Sequence, residues 1–361
     1  MSSTDNSAQI AIIGGGVVGA ACAERLSRNH DNTLVLEAFD RCAEGVTSRN
    51  SGVIHSGLYY PPDSLKAHLC IRGLEMLYEW CQKHGVPHAQ TGKIIVANGP
   101  LEDAALVDLH VNALRSGAEG LTRWSQAKLN SVLPTIPGTA ALFAERTGII
   151  DATALTHSLL TAAESRGTQV LTRCAVTAIT AARGGYELET SRGPIFARVV
   201  INAAGLASDE VARMAGIDRY RIYPCRGDYF RLKGAHFPHL IYPVKTKGSP
   251  GLGVHVTLGL DGTVRLGPDA EYVDQKDDFS PRPEKAAAFQ KAAEKLLGPI
   301  ALENLEYDQC GVRPKLRGPM DPQEWDFVIC ADRPGLINLV GIESPGLTAS
   351  LAIAELVEKI L

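Results

Sequence analysis

Residues 9–37, QIAIIGGGVVGAACAERLSRNHDNTLVLE, decide the fold class. They run in the order apolar strand, glycine turn, amphipathic helix, apolar strand and acid. Gly14 permits the tight turn, Gly16 lets the backbone approach a pyrophosphate, and Gly19 lets the helix pack closely on the strand. Glu37 follows Gly19 by 18 residues, near the spacing of an acid that holds a ribose hydroxyl. The stretch predicts a dinucleotide site for FAD or NAD rather than NADP; a glycine-rich packing turn is the alternative.

The bulk composition is that of an ordinary globular protein. The chain has 361 residues, 45% of them hydrophobic and 21% charged, which suffices for two domains or one large one. A net charge of -4 argues against nucleic acid as the main partner. The eight cysteines show no CxxC and no metal-type spacing, so we expect reduced thiols and no metal site.

The sequence carries no obvious targeting or membrane signal. Its first residues are polar and lack the basic and then apolar order of a signal peptide. No apolar run reaches the roughly 18 residues that a membrane-spanning helix needs. We therefore expect a cytoplasmic protein without a transmembrane segment, and peripheral contact with a membrane stays open.

Periodicity and capping signals predict further elements. Asp63 or Ser64 can cap a helix with apolar positions at helical spacing, and Gly85 can end it. The segment 220–267 alternates strand-like runs with Gly and Pro, which favours an antiparallel sheet. Strands are also predicted at 93–97, 169–172, 186–189, 195–197, 199–202 and 336–340, and helices at 101–116, 125–129, 151–167, 281–297 and from 346 onward.

Three features favour a flavin over a nicotinamide cofactor. The sequence contains one convincing dinucleotide fingerprint, whereas enzymes that move hydride between NAD(P)H and a bound flavin often carry two. The loop 47–52, with its hydroxyls and Arg, follows the acid closely and can reach the phosphates and ring of an extended FAD. The helix that opens at Gly346 can direct its N–H groups and positive dipole end at the charge of a reduced flavin. An ordinary strand-to-helix connection is the alternative at that turn.

The order of the elements predicts an α/β protein with a Rossmann-type FAD-binding domain assembled from discontinuous segments. We assign residues 8–85, 150–215 and 308–361 to this domain. Residues 86–149 and 216–307 are assigned to an inserted α+β substrate or cap domain with a mostly antiparallel sheet.

Several motifs carry a family resemblance. They are, in chain order, RNSGVIHSGLYY at 49–60, SLKA at 64–67, GVHVT at 253–257, DG at 261–262, GPDA at 267–270, GVRPK at 311–315 and GIESPGLTAS at 341–350. In this order they resemble the FAD-dependent L-2-hydroxyglutarate dehydrogenases and oxidases of the D-amino-acid-oxidase-like superfamily. The chain departs from that pattern in being shorter than many such enzymes and in having Asp269 where Asn is expected. Both departures bear on the substrate more than on the cofactor.

The fingerprint and the resemblance together imply a set of cofactor-binding residues. We expect FAD to be bound non-covalently, with covalent attachment to His55 as the alternative. The predicted residues are Gly14, Gly16, Val17, Val18, Gly19, Glu37, Ala38, Thr47, Ser48, Arg49, Asn50, Ser51, Gly52, Val176, Ala204, Gly205, Gly311, Gly341, Glu343, Ser344, Pro345, Gly346, Leu347 and Thr348.

Oxidation of a 2-hydroxy acid at a flavin requires an acceptor for the hydroxyl proton, and two histidines are candidates. Histidine suits this task because its pKa lies near the working pH. His55 follows the loop that should wrap the cofactor, and a similar His follows a similar loop in related flavin dehydrogenases acting on glycerol phosphate. The alternation around His255 places it on one face of a sheet. A hydrogen bond to flavin or backbone is the alternative for His55, and an exposed sheet position is the alternative for His255.

The substrate carboxylate requires a cationic clamp. Arg313 is the candidate, because its planar fork binds a carboxylate through two parallel hydrogen bonds and the following proline biases it toward an extended backbone. A structural ion pair is the alternative. Tyr60 and Lys66 are candidates for a second contact with a dicarboxylate.

We therefore hypothesise an FAD-dependent oxidoreductase that removes a hydride from the α-carbon of a small 2-hydroxy acid, with L-2-hydroxyglutarate as the leading substrate. Oxygen or a quinone would accept the electrons. An amino or imino acid oxidase or dehydrogenase on the same fold is one alternative. A flavin-binding protein without turnover is another.

Overall fold

The computed structural model describes residues 7–245, 253–321, 323 and 325–361. The described strands are β1 Ser7–Ile13, β2 Thr33–Leu36, β3 Val53–Ile54, β4 His88–Ala89, β5 Lys93–Ala97, β6 Leu121–Ser125, β7 Ala140–Ala144, β8 Gly148–Ile150, β9 Gln169–Leu171, β10 Val176–Ala182, β11 Gly185–Thr190, β12 Ile195–Asn202, β13 Tyr223–Leu232, β14 Leu240–Pro243, β15 Val256–Leu258, β16 Val264–Leu266, β17 Glu271–Tyr272, β18 Leu305–Lys315, β19 Val328–Arg333 and β20 Leu336–Val340. The described helices are α1 Val17–Leu26, α2 Leu65–His84, α3 Pro100–Arg115, α4 Gln126–Val132, α5 Ala152–Glu164, α6 Ser208–Met214, α7 Ala286–Leu297 and α8 Gly346–Ile360.

The first sheet has eight strands and a parallel centre. β1 pairs in parallel with β2 and β12, β2 with β9, and β12 with β20. The antiparallel strands β10 and β11 extend one side, and β19 pairs with β20. This is the expected Rossmann-type arrangement, and the predicted α/β fold class is confirmed.

Both faces of this sheet are covered, which explains the continuous apolar run of β1. Ile10 and Ile12 face the cluster formed with α1, α2, α5 and α8, while Ala11 and Ile13 face a second cluster that includes residues of α6. Because successive strand residues point to opposite faces, a strand buried on both sides must be apolar throughout.

The second sheet is mostly antiparallel, as predicted, and has nine strands. Its order is β17-β13-β16-β15-β14-β5-β7-β6, with β18 pairing along the length of β13. The pair β14 and β5 is parallel. β3, β8 and β4 form a third, small antiparallel sheet.

Several local predictions are confirmed. Ser64 caps α2 by accepting a hydrogen bond from the Ala67 N–H, and Gly85 ends this helix in the left-handed conformation at φ 66°. The strands predicted at 93–97 and 336–340 have those bounds.

Other boundaries were wrong. The segments 195–197 and 199–202 form one strand, β12. The helix predicted at 281–297 begins at Ala286, after a 3-10 turn at Pro283–Lys285. β10 was not predicted as a strand, because its residues Val176–Ala182 lack strict alternation of apolar and polar residues. The predicted antiparallel segment 220–267 lies in part outside the described residues.

The proposed division into domains stays a prediction. β18 crosses the predicted boundary between residues 307 and 308, and it pairs with β13 in the second sheet. Among the described residues, no helix combines the length and the apolar character that a membrane crossing requires.

The cap of α5 provides a test of the fold. The Asp151 carboxylate accepts a hydrogen bond of 2.8 Å from the Ala154 N–H at the first turn. Asp151→Ala should lower the free energy of unfolding by about 1 kcal/mol, because this N–H loses its partner. Urea denaturation measures the change, and Asp151→Asn, which retains an acceptor, is the control. An equal loss in both variants would contradict the capping role.

Candidate active site

A cavity of about 1960 Å³ lies between the first and second sheets. Typical small-ligand pockets have about 300–1,000 Å³, so this one has room for an extended dinucleotide and a further small molecule. His55, His255 and Arg313 line it. The predicted cofactor-binding residues also line it, except Gly19, Gly52, Gly341 and Thr348.

The glycine turn brings the start of α1 to this cavity. Gly14 has φ +111°, and its N–H donates to the Leu36 carbonyl at 2.9 Å. A Cβ on Gly19 would overlap the Gly14 carbonyl oxygen, so the turn and the helix meet backbone against backbone. This contact explains why position 19 is a glycine. Gly19 does not line the cavity, but it lets the helix pack against the turn that does.

The amino terminus of α1 fits a pyrophosphate group. Gly16, its N-cap residue, places no side chain over the first turn, and Gly16, Val17 and Val18 face the cavity. The Val17 N–H donates to Thr47 Oγ1 at 3.0 Å, which fixes the following loop beside the helix. Exposed N–H groups and the positive end of the helix dipole form an anion site.

Glu37 is held at the end of β2 by two backbone groups. Its Oε2 accepts from the Gly15 N–H at 2.7 Å, and its Oε1 accepts from the Phe39 N–H at 2.9 Å. Each carboxylate oxygen retains a lone pair, so the buried, cavity-lining carboxylate can still accept a ribose hydroxyl.

The loop 47–52 is shaped by its own side chains. Asn50 Nδ2 donates to the Thr47 carbonyl, and Asn50 Oδ1 accepts from the Gly52 N–H, both at 2.6 Å. The Arg49 guanidinium lies 4.1 Å from the centroid of the Phe279 ring, which is also at the cavity wall. The exposed Ser48 hydroxyl contacts backbone carbonyls of its own turn at 3.2 Å.

The first turn of α8 closes the other end of the cavity. Its N-cap residue, Pro345, offers no side-chain acceptor to the first turn, and the Gly346 N–H donates to the Glu343 carbonyl instead. Thr348 is fully buried, and its Oγ1 accepts from the His55 backbone N–H at 2.9 Å. Thr348 thus anchors the helix to the segment that carries His55 and does not itself face the cavity.

Lys66 is used in an ion-pair network instead of the cavity wall. Its ammonium contacts Glu343 Oε1 at 3.2 Å and the Trp325 carbonyl at 2.9 Å, and Lys315 binds the other Glu343 oxygen at 3.0 Å. Burial would raise the pKa of Glu343, but the two lysines outweigh it and hold that pKa below its ordinary value. The structure therefore does not bring Lys66 to the predicted substrate position.

His55 is linked to Tyr60 through a serine. Its Nε2 lies 3.2 Å from Ser344 Oγ, which lies 3.5 Å from the Tyr60 hydroxyl. Tyr60 is outside the cavity lining but joins the site through this chain. Burial, and secondarily the cations of Lys93 and His255, lower the pKa of His55 to about 3. His55 is therefore neutral at physiological pH.

His255 has a defined tautomer. Its Nδ1 lies 2.7 Å from the Gly253 carbonyl oxygen, which can only accept, so Nδ1 carries the proton and Nε2 a lone pair. The ring stacks on Tyr242 at 3.8 Å between centroids. Burial lowers the pKa of His255 to about 3, outweighing the Gly253 contact, and Lys93 and Arg313 lower it further. His255 is buried, not an exposed sheet residue.

Arg313 has no carboxylate partner within the described residues. Its Nη2 donates to the Asp269 carbonyl at 3.0 Å, and its Nη1 lies 3.7 Å from Cys225 Sγ. A Cβ on Gly227 would lie 2.7 Å from Arg313 Nη2, so the glycine makes room for the guanidinium. These contacts leave the guanidinium able to bind an anion from the cavity.

The carboxylate of Asp269 points away from this site. It accepts from the Asp228 N–H at 2.7 Å and from Lys285 Nζ at 2.9 Å. Lys285 also bonds Asp228 and Glu271 at 2.7 and 2.6 Å, so its ammonium contacts all three of the carboxylates that could otherwise hold a metal ion. Asp269, which stands where the family pattern has Asn, therefore belongs to this internal network of ion pairs and hydrogen bonds.

The sequence reasoning missed several residues of the site. Tyr242, Gly227 and Phe279 line the cavity, and the Lys93 ammonium lies near Tyr242. Only Lys93 left a signal, because it is a single charged residue in the otherwise apolar strand KIIVA. The other three positions depend on strand pairing and on loop packing, which no local pattern encodes.

Comparison with known proteins places the chain in a family. A family model described as FAD dependent oxidoreductase matches residues 9–360. The chain belongs to the FAD-dependent oxidoreductase family. This flavoenzyme is 35% identical to "L-2-hydroxyglutarate dehydrogenase, mitochondrial" of Arabidopsis thaliana, over 95% of its own length and 81% of that protein's. It is 36% identical to the Homo sapiens protein of the same name, over 78% and 64%, and 34% identical to L-2-hydroxyglutarate dehydrogenase of Indibacter alkaliphilus, over 81% and 74%.

Solved structures agree with the fold. The flavoenzyme superposes on dithionite-reduced L-alpha-glycerophosphate oxidase from Mycoplasma pneumoniae with FAD bound, at a TM-score of 0.90 and 27% identity, covering 98% of this chain and 94% of that one. Glycine oxidase from Geobacillus kaustophilus, at a TM-score of 0.80 and 20% identity over 98% and 94%, shares the fold. The predicted cofactor, FAD, is confirmed.

The Glu37 carboxylate provides a test of the cofactor site. Glu37→Ala should weaken FAD retention about tenfold or more, because the Gly15 and Phe39 N–H groups lose their acceptor and the turn loosens. The dissociation constant of FAD from the apoprotein measures the effect. Glu187→Ala, at an exposed position of β11, is the matched control. A changed substrate preference with unchanged FAD affinity would contradict the assignment.

Proposed function

We propose that this flavoenzyme oxidises a small 2-hydroxy acid, with L-2-hydroxyglutarate converted to 2-oxoglutarate as the best candidate. The observation that carries the proposal is that Arg313, which has no carboxylate partner among the described residues, lines the same cavity as two neutral histidines. A cationic clamp and a proton acceptor are what oxidation of a hydroxy acid demands of the protein. The names of the relatives support the choice of substrate.

Arg313 holds the carboxylate next to the reacting carbon. Its backbone is extended by the following proline, and the Asp269 carbonyl fixes one face of the guanidinium. The remaining donors bind the carboxylate in the fork geometry of arginine. The α-carbon is thereby oriented, because both carboxylate oxygens are held by one rigid group.

His255 takes the hydroxyl proton. Its Nε2 lone pair is kept available because Nδ1–H is committed to the Gly253 carbonyl. The chemistry that FAD would supply in this cavity is acceptance of the α-hydrogen as a hydride. The substrate thus loses one proton to His255 and one hydride, and the hydroxyl carbon becomes a carbonyl carbon. His55, joined to Ser344 and Tyr60, orients the reacting group.

The cofactor-binding roles follow from the same geometry. The amino terminus of α1 would hold the pyrophosphate, Glu37 a ribose hydroxyl, and the first turn of α8 the pyrimidine side of the flavin. Non-covalent binding is consistent with the contact of His55 Nε2 with Ser344. Oxygen or a quinone is the proposed electron acceptor. A cytoplasmic location stays a prediction, and several relatives carry the word mitochondrial in their names.

Anaerobic reduction tests the proposed function. L-2-Hydroxyglutarate should bleach the long-wavelength flavin band, because hydride transfer reduces the ring system. Arg313→Met should retain FAD and lose about 100-fold or more in the rate of bleaching, since the charge-assisted clamp is removed. Bleaching by glycine, sarcosine, proline or a D-amino acid, and by no hydroxy acid, would favour the alternative amine oxidation. No bleaching by any of them would favour a flavoprotein without turnover.

The two histidines can be separated by substitution. His255→Asn should lower kcat about 100- to 10,000-fold with FAD retained, because the proton acceptor is lost. His55→Asn should lower kcat by a smaller factor. The reverse ranking would assign the base role to His55.

The pH profile gives a second measure of the histidine base. A base acts in its unprotonated form, and a pKa of about 3 keeps His255 unprotonated down to low pH. On the acid side of the pH profile, kcat/KM should therefore decline only below about pH 5, and not near the usual histidine pKa of about 6.5. A limb near pH 6.5 would contradict this protonation state.

A further inference from the structure

Lys93 carries a fully buried ammonium that has no hydrogen-bond acceptor within the described part of the chain. It stands at the start of β5, inside the second sheet. Buried polar groups are normally paired, and a buried charge without a counter-charge is strongly unfavourable. The mechanism proposed above does not use this cation, so its position requires a separate explanation.

Two tyrosine rings enclose the ammonium. Lys93 Nζ lies 4.8 Å from the centroid of the Tyr242 ring and 5.0 Å from that of the Tyr59 ring. Ring faces attract a cation but do not replace an acceptor oxygen. The buried Tyr59 hydroxyl also lacks a partner in the described structure. Within the described residues, the Lys93 ammonium and the Tyr59 hydroxyl thus both lack a hydrogen-bond partner, and the Tyr59 ring lies beside the ammonium.

This pair lies directly behind the cavity wall. In the parallel pair of β14 and β5, Tyr242 lies opposite Ile95. In the antiparallel pair of β14 and β15, Ile241 lies opposite Val256. Because side chains alternate along strands, Lys93, Tyr242 and His255 lie on the same face of the sheet. Tyr242 and His255 line the cavity, whereas Lys93 and Tyr59 lie behind them, so a carboxylate has to pass the Tyr242 ring to reach the ammonium. His255 is within electrostatic reach of both Lys93 and Arg313.

We propose that Lys93 and Tyr59 form the subsite that receives the second carboxylate of a dicarboxylate substrate, while Arg313 holds the first. This inference rests on the proposed function. It matches two cations without carboxylate partners in the described residues to the two negative charges of the substrate. The second carboxylate supplies the acceptor oxygens that the ammonium and the phenol lack, and a monocarboxylic acid leaves both donors unpaired. Lys93 is therefore a determinant of substrate specificity.

The surroundings make Lys93 the group that titrates in the physiological range. The ionisable groups facing it are Tyr59, Tyr242, Cys70, His55 and His255. Burial raises the pKa of the two tyrosines and of Cys70 and lowers that of both histidines, so all five stay neutral between about pH 5 and pH 8. Burial lowers the pKa of Lys93 itself to about 7.

The test compares L-2-hydroxyglutarate with its 5-amide, which has the same shape and a neutral distal end. The wild-type enzyme should prefer the diacid in kcat/KM by about 10- to 100-fold. Lys93→Met should reduce this preference to within a few-fold by raising KM for the diacid. Lys93→Arg should keep part of the preference, because the positive charge remains.

The pH dependence supplies a second readout. In the wild-type enzyme the preference for the diacid should decline as pH rises above about 7, because the free enzyme loses the Lys93 proton. Lys93→Arg should abolish this decline, since arginine stays protonated. A preference that does not change with pH in either protein would contradict a titrating Lys93 in the subsite.

Ligand binding provides a measurement independent of turnover. The change in the flavin spectrum on binding 2-oxoglutarate or the monocarboxylate 2-oxopentanoate gives both dissociation constants. Lys93→Met should weaken the binding of 2-oxoglutarate and leave that of 2-oxopentanoate unchanged. Tyr59→Phe, which keeps the ring, should weaken the binding of 2-oxoglutarate by a smaller factor. FAD content confirms folding, and Tyr59→Phe stands in if Lys93→Met does not fold. Equal effects on diacid and monoacid would overturn the inference, whereas failure of every 2-hydroxy acid to reduce the flavin would overturn the proposed function.

Discussion

The backbone contact between Gly14 and Gly19 is the constraint on which the site depends. With no side chain between them, α1 begins directly beneath the end of β1, and its first residues line the cavity. Thr47 then ties the next loop to the first turn of the helix, and Glu37 ties the glycine turn to the end of β2. Each later feature of the cofactor cavity is positioned from this corner, because the loop and the turn have no independent core of their own.

The electrostatics of the molecule separate structural charges from those available for chemistry. Lys285 forms ion pairs with three carboxylates, and Glu343 forms ion pairs with two lysines. Arg313 and Lys93, by contrast, have no carboxylate among the described residues and lie at or just behind the wall of the cavity that also carries two neutral histidines. Unpaired cations beside neutral bases favour an anionic substrate that gives up a proton, which agrees with the class of reaction proposed.

Much of the fold could be predicted because its signals are local. A capping serine and a C-terminal glycine bound α2, and runs of β-branched and apolar residues define β5 and β20. Lys66 shows the limit of prediction from local signals. It belongs to the SLKA motif at the start of α2, but its partner Glu343 lies 277 residues away and becomes a neighbour only when α8 packs against α2. No spacing rule could distinguish this ion pair from a substrate contact.

The sequence by itself determined the cofactor class and most of the predicted residues that line the large cavity, because a glycine turn, a helix start and an acid act through backbone geometry that short motifs specify. Only the tertiary structure decided which side chains meet around the substrate. It fixed the His255 tautomer through a backbone carbonyl, withdrew Lys66 into an ion pair, and brought a lysine of β5 behind a tyrosine of β14. The physical reason is that charge pairing and burial depend on strand register and sheet packing, which join residues far apart in the chain.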